Sequence, residues 1–164
     1  MATWATIATA EARWSEATEY EQHPERLSPS VREYLGFGEQ VGAERYIRAQ
    51  FERERIHATY AEFFTSTGAS ALFTPTVGCA AFDNTLPYPP RIGGVEVDEV
   101  WRDWAPMLYD ANLAGLPACS VPIGTGSGGL PIGGQFVGPR LSDHRLLRVA
   151  AILSDVLSLP TATR

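Results

Sequence analysis

The chain has 164 residues, 45% of them hydrophobic and 20% charged, which is enough length and apolar content for one globular core. A net charge of −6 argues against a polyanion partner such as nucleic acid, because phosphate binding needs clustered cations. All 13 basic residues are arginine, so chemistry that needs a lysine base, a Schiff base or a phosphate-loop lysine is excluded for this stretch of chain. No apolar run approaches the roughly 18–20 residues of a membrane span, and Met1–Ala12 lacks the basic start of a secretory leader. Two cysteines, Cys79 and Cys119, are too few for a disulfide framework, so a reducing cytoplasm is the expected compartment.

Residues 1–65 carry most of the charge and predict mainly helices; residues 66–164 carry most of the glycine and proline and predict strands, loops and a last helix. Ala5–Tyr20 holds good helix formers with no glycine or proline. Ser30–Leu35 predicts a short helix ended by Gly36 and Gly38. Glu39–Thr65 predicts the longest helix, with Ile47, Phe51, Ala58 and Ala61 recurring near a 3.6 period. Ile56, Tyr60, Phe63 and Phe64 form a second apolar face, so that end is expected to be enclosed on several sides. Its arginines interleave with Glu44, Glu52 and Glu54, the pattern of a salt-bridged solvent face. Ala69–Thr74 predicts a buried strand closed by Pro75, followed by a long irregular loop over 76–94. Trp101–Leu113 is helical in part, with Pro106 restricting its start. Pro117–Ile123 and Pro131–Val137 predict two strands of a hairpin around Gly124–Gly129. Ser142–Leu157 predicts a helix capped by Ser142, with Leu146, Val149, Ala150, Leu153, Val156 and Leu157 as its apolar stripe before Pro160. The sum is an α/β fold in one domain spanning 1–164.

Several patterns imitate chemistry without meeting its requirements. Gly124–Gly129 satisfies G-x-G-x-x-G but runs into a strand pattern instead of opening a helix, so no dinucleotide site is expected. Ser127 fails the G-x-S-x-G elbow because position 125 is threonine. Cys119 sits within an apolar strand and His144 in a solvated first turn; Cys79, in a loop, has no local activating residue. Three scattered histidines give no metal-ligand spacing, and no cofactor or metal is expected.

The stretch Asn112-Leu-Ala-Gly-Leu-Pro-Ala-Cys-Ser-Val-Pro-Ile-Gly124, followed by Gly129-Leu-Pro-Ile-Gly-Gly-Gln-Phe-Val-Gly138, resembles the C-terminal region of the amidase signature family. That family reads N-L-x-G-x-P-A-x-S-x-P-x-G, a variable turn, then G-L-P-x-G-x-Q-x-x-G. Leu72-Phe-Thr-Pro-Thr76 resembles its L-L-T-P-T strand end, and Tyr46–Arg53 its Y-x-x-A-x-x-x-R helix. The likeness runs from Ile7 to Leu159 and includes the glutamyl-tRNA amidotransferase A subunits. The resemblance implies the C-terminal part of a mixed β-sheet covered by helices. It also implies amide hydrolysis or amidotransfer by a serine, a bridging cis-serine and a lysine. Those three lie in the family's N-terminal half, which has no counterpart here, so no catalytic residue is carried over. By the same resemblance Thr76, Tyr109, Asp110 and Asn112 are candidates to line the substrate entrance. The implied roles are a truncated or split amidase, inactive alone, or a non-enzymatic binding or assembly module. Its expected partner is a separate N-terminal amidase half or a second copy of the chain, and a small amide substrate enters only in a complete enzyme.

Overall fold

A computed structural model of the chain describes residues 2–86, 88–97, 103–126 and 128–157. Trp101, Ser127, Leu159 and Pro160, all used above, lie outside the described residues. The chain divides into two compact units, Met1–Ile56 and His57–Arg164. No described helix is long and apolar enough to cross a membrane.

The first unit is helical. α1 spans Thr3–Ser15 and α2 spans Ala17–Gln22, so the expected single helix over 5–20 breaks at Glu16. The Ser15 hydroxyl donates to the Ala12 carbonyl at 3.1 Å, and the chain bends there, leaving Glu21 2.8 Å from Arg13 and the Tyr20 ring under the same guanidinium at 4.3 Å. A single 3-10 turn, Pro24–Arg26, follows.

α3 spans Pro29–Glu39, not the short Ser30–Leu35 helix expected. Ser28 Oγ accepts from Val31 N–H at 3.3 Å, and Pro29 fills the first turn, so the start signal lies upstream of the expected one. Gly36 and Gly38 do not end the helix. Gly38 instead lets α3 approach α1, because a Cβ there would collide with the Thr9 carbonyl. Leu35, 1% exposed, and Ala5, Ile7 and Thr9 of α1 are buried.

α4 runs over Ala43–Thr67, and the boundary between the units falls within it. The 3.6-period stripe faces solvent: Phe51 is 70% exposed, and Ile47, Ala58 and Ala61 are exposed too. Ala49 and Phe64 are the buried positions, so the second apolar face is the enclosed one. The arginine-rich face pairs as expected, Arg48 with Glu44 at 2.8 Å and Arg55 with Glu52 at 3.2 Å.

The second unit carries the sheet. β1 is Leu72–Pro75, β4 is Ala118–Thr125 and β5 is Pro131–Val137, in the antiparallel order β1-β5-β4. Pro75 belongs to β1 instead of closing it; β1 is an edge strand, where a missing N–H is tolerated. β2 (Arg91–Ile92) and β3 (Val95–Glu96) form a small hairpin across the end of the segment expected to be irregular, 76–94. Gly93 and Gly94, both at positive φ, make its turn. α5 spans Pro106–Ala114 with Pro106 in its first turn, and Gly115 at φ 63° ends it.

α6 spans Asp143–Leu157 and covers one sheet face, where Val121, Phe136, Leu146 and Ala150 form the core. Two expectations for α6 are corrected. Ser142 Oγ is buried without a hydrogen-bond partner, and only the backbone carbonyl of Ser142 receives the Leu146 N–H. Val156 is 73% exposed, because the stripe outruns the sheet.

Candidate functional site

In an antiparallel ladder, directly opposed residues share a face. Ser120, Gln135 and Thr74 stand opposite one another on the face away from the α6 core. Gln135, 4% exposed, donates through Nε2 to Thr74 Oγ1 at 3.3 Å and to the Met107 carbonyl at 3.0 Å. One buried amide therefore ties β1, β5 and the start of α5 together. Thr76 continues the row just beyond β1: its N–H donates to the Gly133 carbonyl at 3.0 Å, and its hydroxyl lies 2.6 Å from Ser120 Oγ. A Cβ on Gly133 would meet Thr76 Oγ1 at 2.8 Å and Ser120 Oγ at 3.2 Å. Glycine at 133 is what lets the hydroxyl pair close over the strand.

Gly133 also lines a cleft of about 560 Å³ between the loop after β1 and the tip of the β4–β5 hairpin. Pro75, Val77, Cys79 and Phe82 come from the β1 side, and Leu130 and Ile132 from the hairpin side. Trp104 completes the wall, its ring edge-on to Phe82 at 6.0 Å, and its carbonyl accepts from Gly78 N–H at 2.9 Å. No described lining residue carries a charge. The hairpin tip closes through Gly126 N–H to the Leu130 carbonyl at 2.8 Å, and a strand, β5, follows it instead of a helix. The glycine-rich segment is thus a turn and lacks the geometry of a dinucleotide site.

The four candidate lining residues fall in two places. Thr76 sits against Gly133, a lining residue of the cleft, without itself lining it. Tyr109, Asp110 and Asn112 lie on α5 and are not among the residues that line the cleft. Burial raises the Asp110 carboxyl above its ordinary 3.8. Burial first, and then the Asp110 charge, raise the Tyr60 phenol. Asn112, exposed, accepts the Gly115 N–H through its carbonyl at 3.2 Å. Ser120 and Gln135 were missed as site residues. Both stand inside the G-L-P and A-x-S motifs, and only the strand register shows that they share a face. Cys119 packs against the α6 core as a small hydrophobe, and His144 is exposed. Among the described residues no group of histidines, cysteines and acids is placed to hold a metal ion.

A family model described as Amidase matches residues 4–147. The chain belongs to the amidase signature family. It is 35% identical over 132 residues to a fatty acid amide hydrolase of Medicago truncatula, covering 80% of this chain and 21% of that protein. It is 36% identical over 115 residues to the glutamyl-tRNA(Gln) amidotransferase A subunit of Maricaulis maris, covering 67% and 21%. A 2-amino-5-chloromuconic acid deaminase of Comamonas testosteroni is 31% identical over 133 residues, covering 77% and 26%. A crystal structure of an amidase superposes at a TM-score of 0.80 with 24% identity, over 94% of this chain and 34% of that one. A bacterial aryl acylamidase of the amidase signature family superposes at 0.73 with 22% identity, over 93% and 32%. These superpositions show the α/β amidase signature fold. The chain spans about a fifth of the length of the first two curated relatives and about a third of the solved structures it matches.

Proposed function

We propose that this amidase family chain supplies sheet scaffold and substrate-channel wall to a carbon–nitrogen bond hydrolase, and that it hydrolyses nothing by itself. The uncharged cleft beside the Thr76–Ser120 hydroxyl pair carries the reading. It offers apolar surface next to groups able to hydrogen-bond an amide, the composition of a small-molecule site. Tyr109, Asp110 and Asn112 extend the wall along α5 in the complete enzyme. The inactivity follows from composition: the family's centre needs a lysine, and this chain has none. The catalytic serine, cis-serine and lysine belong to a region resembling the N-terminal half of an amidase, on a partner or on a longer chain, and the amide substrate is turned over only when that region is present. Two unpaired cysteines, Cys79 and Cys119, suit a reducing cytoplasm as its compartment.

Serine-directed fluorophosphonate labelling of the purified chain, followed by mass spectrometry, tests the reading. The expected result is no stoichiometric adduct and no release of ammonia or amine from a panel of primary and secondary amides. An adduct at any serine, Ser127 included, together with amide turnover, overturns it.

A further inference from the structure

We infer that the cleft selects an uncharged, apolar substituent of the amide, an aliphatic chain or an aryl ring, and rejects a polar one of the glutamine type. The inference rests on the channel-wall reading and names the ligand class of that site. Three observations carry it. The cleft, about 560 Å³, lies within the roughly 300–1,000 Å³ of small-molecule sites. Its described lining brings no charged side chain to satisfy an ammonium or carboxylate, and burying such a group unpaired is strongly unfavourable. Its walls are shaped for flat apolar groups. Phe82 and Trp104 meet edge to face on one side, and Leu130 and Ile132 present aliphatic surface on the other. The hydroxyls of Thr76 and Ser120 lie beside Gly133, one of the residues that line the cleft.

Cys79 lines the cleft and Cys119 packs under α6, which gives a reporter and an internal reference in one chain. The experiment follows alkylation of each cysteine by N-ethylmaleimide, peptide by peptide, with octanamide, N-octylacetamide or glutamine present. At four times the dissociation constant an alkyl amide should slow Cys79 about fivefold, since protection grows as one plus ligand over Kd. Cys119 should keep its rate, and glutamine should change neither. Stronger protection by octanamide places the apolar group on the acyl side of the amide; stronger protection by N-octylacetamide places it on the amine side. Ile132→Asp, at a position 44% exposed, puts a charge into the cleft and should weaken alkyl-amide protection about tenfold or more. Leu130→Asp at the hairpin tip makes the same change outside the strands, should Ile132→Asp not fold. Absence of saturable protection, equal protection by glutamine, equal slowing of both cysteines, or protection unmoved in a folded variant would each overturn the inference. If Cys79 is protected but the chain labels with fluorophosphonate and turns over amides, the non-catalytic reading falls while the ligand class stands.

Discussion

At Gly38, helix propensity and packing oppose each other. Alanine favours a helix over glycine by about 1 kcal/mol, yet a Cβ here meets the backbone of Thr9, which cannot swing aside. At Gly134 the added Cβ would meet only side-chain atoms, the Phe73 ring at 2.6 Å and Ile123 Cγ2 at 2.7 Å, and Phe73 is half exposed. Overpacking costs about 1–3 kcal/mol, so Gly38→Ala should lie at the upper end and Gly134→Ala at the lower in urea melts. Equal costs would mean that α3 can slide on α1. Asp110 gives a pH signature. Its folded pKa is raised, so the folded state binds the proton more tightly. That contribution is complete below the ordinary value of 3.8 and is lost as pH rises through the raised one. Asp110→Asn should therefore raise the urea midpoint at pH 7 and leave it unchanged near pH 3. The phenols of Tyr34, Tyr46, Tyr60 and Tyr109 are raised too, that of Tyr46 chiefly by its 2.7 Å hydrogen bond to Glu11. Their stabilisation is complete below their ordinary 10.0 and fades as pH climbs through the higher folded values, so melts should move to lower urea in that alkaline range.

At the scale of elements, the β4–β5 hairpin separates fold from cleft. Thr125 pairs with Pro131, so an Asn-Gly turn in place of residues 126–130 preserves that pair. The expected variant melts like the parent but loses alkyl-amide protection of Cys79, because Gly126, Gly128 and Leu130 leave the cleft. Neither NAD nor ATP should raise the parent's melting temperature; a concentration-dependent rise with either would reinstate a nucleotide site. Which elements could be read from sequence follows from how local their causes are. Pro131–Val137 was legible as a short apolar run bounded by turn residues, and the α6 stripe by its 3.6 period, because both signals act within a few residues. The Thr76–Ser120 pair was not, since 44 residues separate its members and only strand register joins them. Gly38 misled for a related reason: its role is set by Thr9, across a helix contact with no local trace. On α4, the crowding of apolar residues near its end marked the enclosed face, while the fate of the Ile47–Ala61 stripe, exposed in the fold, had no local signal.

Across the whole molecule, unmatched apolar surface dominates. Phe51 and Ile47 on α4, Phe73 on an edge strand, and Ile152 and Val156 on α6 all stand exposed. β1 and β4 are the edges of the three-stranded sheet, each with one side unpaired among the described strands. Covering even about 400 Å² of such surface returns roughly 10 kcal/mol at ~25 cal/mol per Å², as much as a whole domain's stability. The isolated chain should therefore self-associate or bind 8-anilinonaphthalene-1-sulfonate strongly, as light scattering and dye fluorescence will show. A compact monomer with a cooperative melt and no dye signal would favour a self-sufficient binding module. The most direct measurement mixes the chain with a separately purified amidase N-terminal half bearing the serine, cis-serine and lysine, and follows amide hydrolysis. The account predicts silence from each part alone and turnover only from the mixture, lost when the lysine of the added half is replaced. Turnover by this chain alone, or a mixture that stays inert while the two parts bind, would contradict it.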